Sequence, residues 1–322
     1  MKLDLKKILN LFVKQHILVI GDVMIDKYLE GDVSRISPEA PVPVVEVNKE
    51  FSHAGGAANV ARNINGLGGM TTLIGVVGND SEGHRLAKLL DKDSRINQQF
   101  IFDETRITSL KTRIISDNQQ LIRLDYEDKF FIKDEIVNSI IIKIKEISLP
   151  IDGLIIQDYD KGLLSEKLIS WIMSYAKKKK IPVYIDPKNK LYACFSGARL
   201  FKPNLNEFNN LFDNYNNFSK ISKKIMLNNK FQILLVTKGS QGLSLFENGK
   251  ELNIPAIIKQ VHDVSGAGDT VISTFALGDC IKLLPEESAY IANIAASIVC
   301  EKPGVAPITK DLLLEKETQY FE

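Results

Sequence analysis

A chain of 322 residues and 36.0 kDa can bury a large core, and its 44% hydrophobic and 25% charged residues exclude a disordered protein. A net charge of +1 with a pI near 7.6 leaves no electrostatic footprint for nucleic acid or an acidic membrane. Cys194, Cys280 and Cys300 lie far apart and the four histidines are scattered, which argues against a zinc site and reads as reduced thiols of a cytoplasmic protein.

Lys6 and Lys7 precede the apolar Ile8, Leu9, Leu11, Phe12 and Val13, but Lys14, Gln15 and His16 interrupt the run and no small-residue cleavage site follows. An amphipathic first helix is expected. No apolar run reaches the roughly 20 residues that span a bilayer. Ile17-Leu18-Val19-Ile20 is a short continuous apolar run ending in Gly21-Asp22, the pattern of a strand buried on both faces of a parallel sheet. Ligands of such sheets sit at the carboxyl ends of the strands. Asp22 and Asp26 therefore fall where a polar substrate would be held, and a carboxylate accepts two hydroxyls at once. Solvated turn carboxylates are the competing explanation.

Residues 27–50 alternate apolar and polar side chains, with Pro38, Pro41 and Pro43 confining the region to edges and turns. Residues 100–125 carry a second alternating set: Phe100-Ile101-Phe102, Thr112-Arg113-Ile114-Ile115 and Gln120-Leu121-Ile122-Arg123-Leu124. Together they predict a small sheet off the main body, with one apolar face that must cover a ligand or meet a second subunit. Between them, Gly55-Gly56-Ala57-Ala58-Asn59 lets a helix start close to a neighbour, whether a ligand or a packed strand. Leu73-Ile74-Gly75-Val76-Val77-Gly78 is another buried strand.

Beyond residue 125, helical stretches near 134–147, 165–179 and 217–229 alternate with apolar strands at 153–156, 182–185 and 232–236. That rhythm predicts an α/β fold of one domain over 1–322: a mostly parallel central sheet with helices on both faces. Polar groups mark the strand ends, as in Asp158-Tyr159-Asp160-Lys161-Gly162, Asp186-Pro187-Lys188 and Lys202-Pro203-Asn204-Leu205-Asn206-Glu207. The pair Asn204 and Glu207 at i and i+3 could hold the water shell of Mg²⁺, or could form a capping box. Thr237-Lys238-Gly239-Ser240-Gln241-Gly242 offers a hydroxyl, a cation and flexible backbone for phosphates. Val261-His262-Asp263-Val264-Ser265-Gly266-Ala267-Gly268-Asp269-Thr270 opens a helix with a glycine-rich turn, an anion site by its amides and its dipole. Asp269 suits a proton acceptor beside a phosphoryl group in transfer; an aspartate N-cap is the alternative.

The order of these motifs resembles the ribokinase-like (PfkB) sugar kinases over nearly the whole chain. Within that family, Gly31-Asp32-Val33-Ser34-Arg35-Ile36-Ser37-Pro38-Glu39-Ala40-Pro41-Val42-Pro43, Asn118-Gln119-Gln120-Leu121-Ile122-Arg123-Leu124-Asp125 and Asp158-Tyr159-Asp160-Lys161-Gly162 resemble the D-glycero-β-D-manno-heptose-7-phosphate kinases. The resemblance implies a ribokinase-like three-layer fold whose two alternating regions form a β-lid that pairs two subunits. It implies Asp269 as catalytic base, with the Gly266, Ala267 and Gly268 amides as anion hole. Asn204 and Glu207 would organise Mg²⁺ and the ATP phosphates, with Leu205 and Asn206 between them. Thr237, Lys238, Gly239 and Gly242 would border the nucleotide, and Asp22, Asp26, Gly55, Gly56 and Asn59 the sugar. ATP and Mg²⁺ are the implied cofactors, with room for a monovalent cation such as K⁺. Ser265 stands where the family usually has threonine, and Gln157 where the heptose kinases often have serine.

The expected reaction gives the γ-phosphoryl of ATP to the anomeric hydroxyl of heptose 7-phosphate. The substrate's own phosphate needs a cation, for which Arg113, Arg123, Lys161 and Lys188 are candidates. A kinase of another sugar or nucleoside, and a non-catalytic nucleotide-binding subunit, are the two other readings.

Overall fold

A computed structural model describes residues 3–117, 119–188, 191–212, 217–257, 263–302 and 304–316. Asn118, residues 213–216 of the asparagine-rich run, and Val261-His262 lie outside the described residues.

The chain enters through helix α1 (Leu5–Phe12), capped by Asp4, with Leu5, Ile8, Leu9 and Phe12 buried at helical spacing as expected. Strand β1 (His16–Gly21) is buried at every position. One residue later, β2 (Val23–Ile36) and β3 (Pro43–Gly56) form a long antiparallel hairpin that leads into α2 (Ala57–Gly66). Strands β4 (Met70–Ile74) and β5 (Val76–Gly78), helix α3 (Ser81–Leu90) and strands β6 (Ile96–Gln98) and β7 (Ile101–Asp103) follow. A second hairpin is made by β8 (Leu110–Ser116) and β9 (Gln119–Tyr126). Helices and strands then alternate: α4 (Asp134–Glu146), β10 (Gly153–Gln157), α5 (Glu166–Lys179), β11 (Val183–Asp186), β12 (Leu200–Phe201), α6 (Leu205–Phe212), α7 (Phe218–Asn229) and β13 (Ile233–Thr237). Strands β14 (Leu243–Glu247) and β15 (Lys250–Ile254) and helices α8 (Ala267–Cys280), α9 (Pro285–Cys300) and α10 (Lys310–Glu315) complete it.

The main sheet has nine strands in the order β15-β14-β13-β12-β11-β10-β1-β4-β6, parallel from β13 to β6 and antiparallel at β14 and β15. Alternation along each strand divides the core into two layers. Ile17 and Val19 face one way, into a cluster with α2, α8 and α9; Leu18 and Ile20 face the other, against α4 and α5. The carboxyl ends of β1, β10, β11 and β13 therefore share one edge.

The lid is a four-stranded sheet in the order β3-β2-β8-β9. Two expectations need correction. Phe100-Ile101-Phe102 does not join the lid: β7 pairs with β5 in a separate two-stranded sheet. Three alternating residues do not specify a partner, and the backbone of Ile101 is fixed instead by Gly75 O (3.0 Å). The β14–β15 hairpin lies outside the expected helix–strand rhythm and extends the main sheet with antiparallel strands.

Candidate active site

Helix α8 begins where it does because Gly266 takes φ +82°, the left-handed region. A Cβ there would also lie 2.8 Å from Asn59 Nδ2, so space as well as conformation calls for glycine. Asp269 sits in the first turn but caps nothing, since the N-cap is Gly266. Its carboxylate, 3% exposed, accepts instead from three side chains. Asn59 Nδ2 donates to Oδ2 at 2.8 Å, while the Tyr159 hydroxyl at 2.8 Å and Gln157 Nε2 at 3.1 Å donate to Oδ1. Burial raises the carboxyl from the ordinary range to about 7, with the nearby Asp186 adding to the rise. The Asn59 and Tyr159 hydrogen bonds and the charge of Lys202 oppose it, and burial wins. A carboxyl poised near neutrality, held by neutral donors, is suited to taking up a proton. Of the three amides expected as an anion hole, that of Ala267 is spent on Val264 O (3.2 Å) within the turn. The Gly266 and Gly268 amides carry that expectation.

Asp269 lies at the wall of a crevice of about 730 Å³, which also takes in Asn204, Leu205, Asn206, Glu207, Thr237, Lys238, Gly239 and Gly242. Three of the motifs thus converge, those at 204–207, 237–242 and 266–269. Asn204 and Glu207 form a full capping box: Asn204 Oδ1 accepts from Glu207 N and Glu207 Oε2 from Asn204 N, both at 2.8 Å. The open choice between cap and ion site is settled toward the cap for these two oxygens. Burial, with Asp186 nearby, raises the Glu207 carboxyl. Among the described residues no three acidic, histidine or cysteine side chains cluster tightly enough to cage a metal. Two neighbouring carboxylates, Asp186 and Glu207, would suit an Mg²⁺ ion that keeps most of its water. Lys238 lines this crevice with its ammonium stacked over the Phe218 ring at 4.2 Å. Gly239 (φ +56°) opens on empty space, whereas a Cβ on Gly242 would lie 2.1 Å from Ile254 O.

The residues expected to hold the sugar gather at the root of the lid, beside the loop after β10. Asp26, on β2, is 5% exposed and accepts from Arg113 Nη1 of β8 at 2.5 Å. Gly55 faces this pair: a Cβ there would lie 2.1 Å from Asp26 Oδ2. A Cβ on Gly56 (φ +60°) would meet Asp22 O at 2.4 Å. Asp22 is a correction of role, since its Oδ2 accepts the backbone amides of Tyr159 (2.9 Å) and Lys161 (3.1 Å) and so anchors the loop that bears Tyr159. Burial and the nearby Asp158 raise its carboxyl to about 6. Three of the four candidate cations are already engaged: Arg113 with Asp26, Arg123 bidentate with Asp125 (2.8 and 2.9 Å) on the exposed β9, and Lys161 with Glu127 (2.7 Å). Lys188 remains, its ammonium 5.2 Å from the Tyr159 ring. A second lysine, Lys111, lies 5.4 Å from the same ring. Burial lowers its pKa, and the neighbouring Lys161 and Lys188 lower it further. Lys111 was hidden in the sequence because it stands in an ordinary alternating strand. Tyr159, Gln157 and Lys202 stood in strings of polar strand ends, with nothing to show that they meet Asp269.

A crevice at the carboxyl edge of a parallel sheet, with a helix-mouth carboxylate and a covering β-sheet, defines a phosphotransferase of the ribokinase-like class. The pfkB family carbohydrate kinase model matches residues 14–311, and the chain belongs to that family as an ATP-dependent carbohydrate kinase. It is 40% identical over 296 residues to bifunctional protein HldE of Helicobacter pylori, covering 91% of this chain and 64% of that protein. It is also 40% identical over 302 residues to HldE of Haemophilus influenzae, covering 92% and 62%. The chain thus spans less than two thirds of these relatives. Phosphofructokinase-2 of Escherichia coli in complex with potassium has the same fold, with TM-score 0.81 at 18% identity over 96% of this chain and 99% of that one. Ribokinase of Arabidopsis thaliana complexed with ribose and ATP gives 0.69 at 20% identity, over 94% and 98%. No helix among the described residues is long and apolar enough to cross a membrane.

Proposed function

We propose that the chain transfers the γ-phosphoryl of ATP to the anomeric 1-hydroxyl of D-glycero-D-manno-heptose 7-phosphate, giving the 1,7-bisphosphate for ADP-heptose and lipopolysaccharide-core synthesis. The observation that carries the choice of a phosphorylated sugar is the placement of Lys111 and Lys188. Both ammonium groups flank the ring of Tyr159, whose hydroxyl touches the base Asp269, and neither has a salt-bridge partner among the described residues. A sugar with its hydroxyl at Asp269 would lay its far phosphate between them. An unphosphorylated sugar or a nucleoside would leave the half-buried Lys111 and the exposed Lys188 without an anion between them. Of the three strings that resemble the heptose kinases, one is the loop that bears Tyr159, and described residues of the other two lie on the lid strands β2, β3 and β9.

In this reading Asp26 and Asn59 orient the sugar, with Gly55 and Gly56 clearing its approach. Asp269 takes the proton of the 1-hydroxyl as the oxygen bonds to phosphorus. Because phosphoryl transfer is loose, little nucleophilic push is required and stabilisation of charge dominates. The Gly266 and Gly268 amides, with the α8 dipole behind them, supply part of it. Glu207, at the capped start of α6, and Asp186, at the end of β11, would hold Mg²⁺ through water, and the ion would neutralise phosphate oxygens. Thr237, Gly239 and Gly242 border the nucleotide. The proposal extends to a monovalent cation such as K⁺, by likeness to the phosphofructokinase-2 solved with potassium.

We take residues 1–322 as one kinase domain that works in the cytoplasm as a homodimer. Ile122, Leu124 and Tyr126 stand exposed on β9, the lid's open edge, where a second lid can pair. The test is a panel of free and phosphorylated sugars and nucleosides assayed for ADP release. The heptose 7-phosphate should give the highest kcat/KM; a preference for any unphosphorylated acceptor would sink the assignment.

A further inference from the structure

Lys202 follows β12 directly, is 2% exposed, and yet lines the nucleotide crevice. A lysine so far from water needs a strong reason. Its Nζ lies 3.0 Å from Asp186 Oδ2. A side chain built on Gly268 would begin 3.4 Å from that same ammonium and 3.9 Å from Asp186 Oδ2. The bare backbone of Gly268 therefore lies against the lysine, and whatever binds the Gly268 amide comes within its reach. Asp186 is in turn tied to the base: Gln157 Nε2 donates to Asp186 Oδ2 and to Asp269 Oδ1, both at 3.1 Å. A buried chain thus runs from Asp269 through Gln157 and Asp186 to one ammonium, aimed at the mouth of α8.

We propose that Lys202 is a catalytic residue of this kinase, whose ammonium meets the phosphoryl group during transfer, with Asp186 and Gln157 as the positioning residues that aim it. The proposal rests on the reading of Asp269 as base. In the step, the sugar O–H bond breaks and an O–P bond forms while the bond from phosphorus to the leaving ADP oxygen breaks. The proton goes to Asp269 and the electron pair to ADP. Lys202 stays an ammonium throughout and gives up no proton; it offsets charge on the moving group in a low-dielectric wall, where such a contact counts most.

The competing explanation is that Lys202 only neutralises Asp186. Binding measurements on the whole chain separate the two. Lys202→Met should keep affinity for Mg·ADP within about threefold but weaken binding of Mg·ADP with aluminium fluoride, a planar stand-in for phosphoryl in flight, by roughly 10²-fold or more, with kcat falling by a similar factor. Because one removed partner of a buried pair can prevent folding, Asp186→Asn/Lys202→Met is measured beside Asp186→Asn alone, and the same selective loss is expected. Equal affinity ratios in parent and variant would overturn the proposal. So would a parallel loss of both affinities, since a ground-state role would then suffice. Normal turnover in Asp269→Asn would instead remove the base reading, while the aluminium fluoride ratio would still report on Lys202.

Discussion

Helix α8 carries a buried aspartate near each end, and the two are handled in opposite ways. Asp269, at the N-terminal end, is held by an amide on either side and a phenol, with no cation in hydrogen-bond contact. Asp279, at the C-terminal end, is gripped by Arg199, whose Nη2 and Nε donate at 2.6 and 3.0 Å, and by the Tyr184 hydroxyl at 2.8 Å. The negative end of a helix dipole disfavours a carboxylate, so a full ion pair is needed there to keep one buried. At the positive end neutral donors suffice. A charge answered by arginine is fixed and chemically quiet, whereas one held by neutral groups in a dry wall can exchange a proton near neutral pH. The second end has its own cavity of about 900 Å³, lined by Arg199 and Asp279, but none of the motif residues reaches it.

The sharpest way to break this contrast is to neutralise each aspartate. Asp269→Asn should lower kcat by roughly 10²–10⁴-fold while ATP affinity and unfolding midpoint stay near the parent, as steady-state kinetics and denaturant titration would show. Asp279→Asn should do the reverse: a loss of roughly 3 kcal/mol in denaturant unfolding, the low end for a buried pair because Arg199 is partly exposed, with kcat in the folded fraction little changed. A variant of Asp279 as slow as that of Asp269 would mean that both ends serve catalysis. Next in size, Lys111→Met should raise KM for heptose 7-phosphate roughly tenfold or more, the worth of one hydrogen bond to a charged group, and leave KM for ATP unchanged. The smallest effect is on pH dependence. A base at Asp269 must work deprotonated and this carboxyl lies at about 7, so on the proposed role kcat/KM should fall as pH drops below neutrality. Tyr159→Phe removes a hydrogen bond that lowers this carboxyl, so the acid limb should move to higher pH; a limb that stays put would detach Tyr159 from the base.

Continuous apolar runs such as Ile17–Ile20 were readable as buried parallel strands because neither face meets water. The glycine-rich mouth of α8 was readable because an open amide turn needs Gly266. Sequence left Asn204 and Glu207 undecided between cap and ion site, since i, i+3 spacing serves both; only the two 2.8 Å bonds choose. Asn248-Gly249, both with positive φ (49° and 75°), is a hairpin signal that marks the β14–β15 turn and passed unread. Which lysine faces a substrate could not be read at all. Arg113 and Lys161 lose that freedom to acids distant in the chain, Arg123 to Asp125 two residues on in its own strand, and Lys111 gains it through strand register. Ion-pair bookkeeping of this kind lives in tertiary contacts, not in motif spacing.

Asp22, the lone residue between β1 and β2, is fastened on every side. Its N–H donates to Gln157 O at 3.1 Å, its carbonyl accepts from Ala57 N at 2.9 Å, and its carboxylate holds the Tyr159 and Lys161 amides. The root of the lid is therefore riveted to the floor of the cleft and cannot act as a hinge. Bending has to come from farther out, where β2 slips register against β3 at Glu30/Gly31 and Val33/Arg35. Asp26 and Arg113 lie on the riveted side of both shifts, so a movement of the tip would leave their pairing in place.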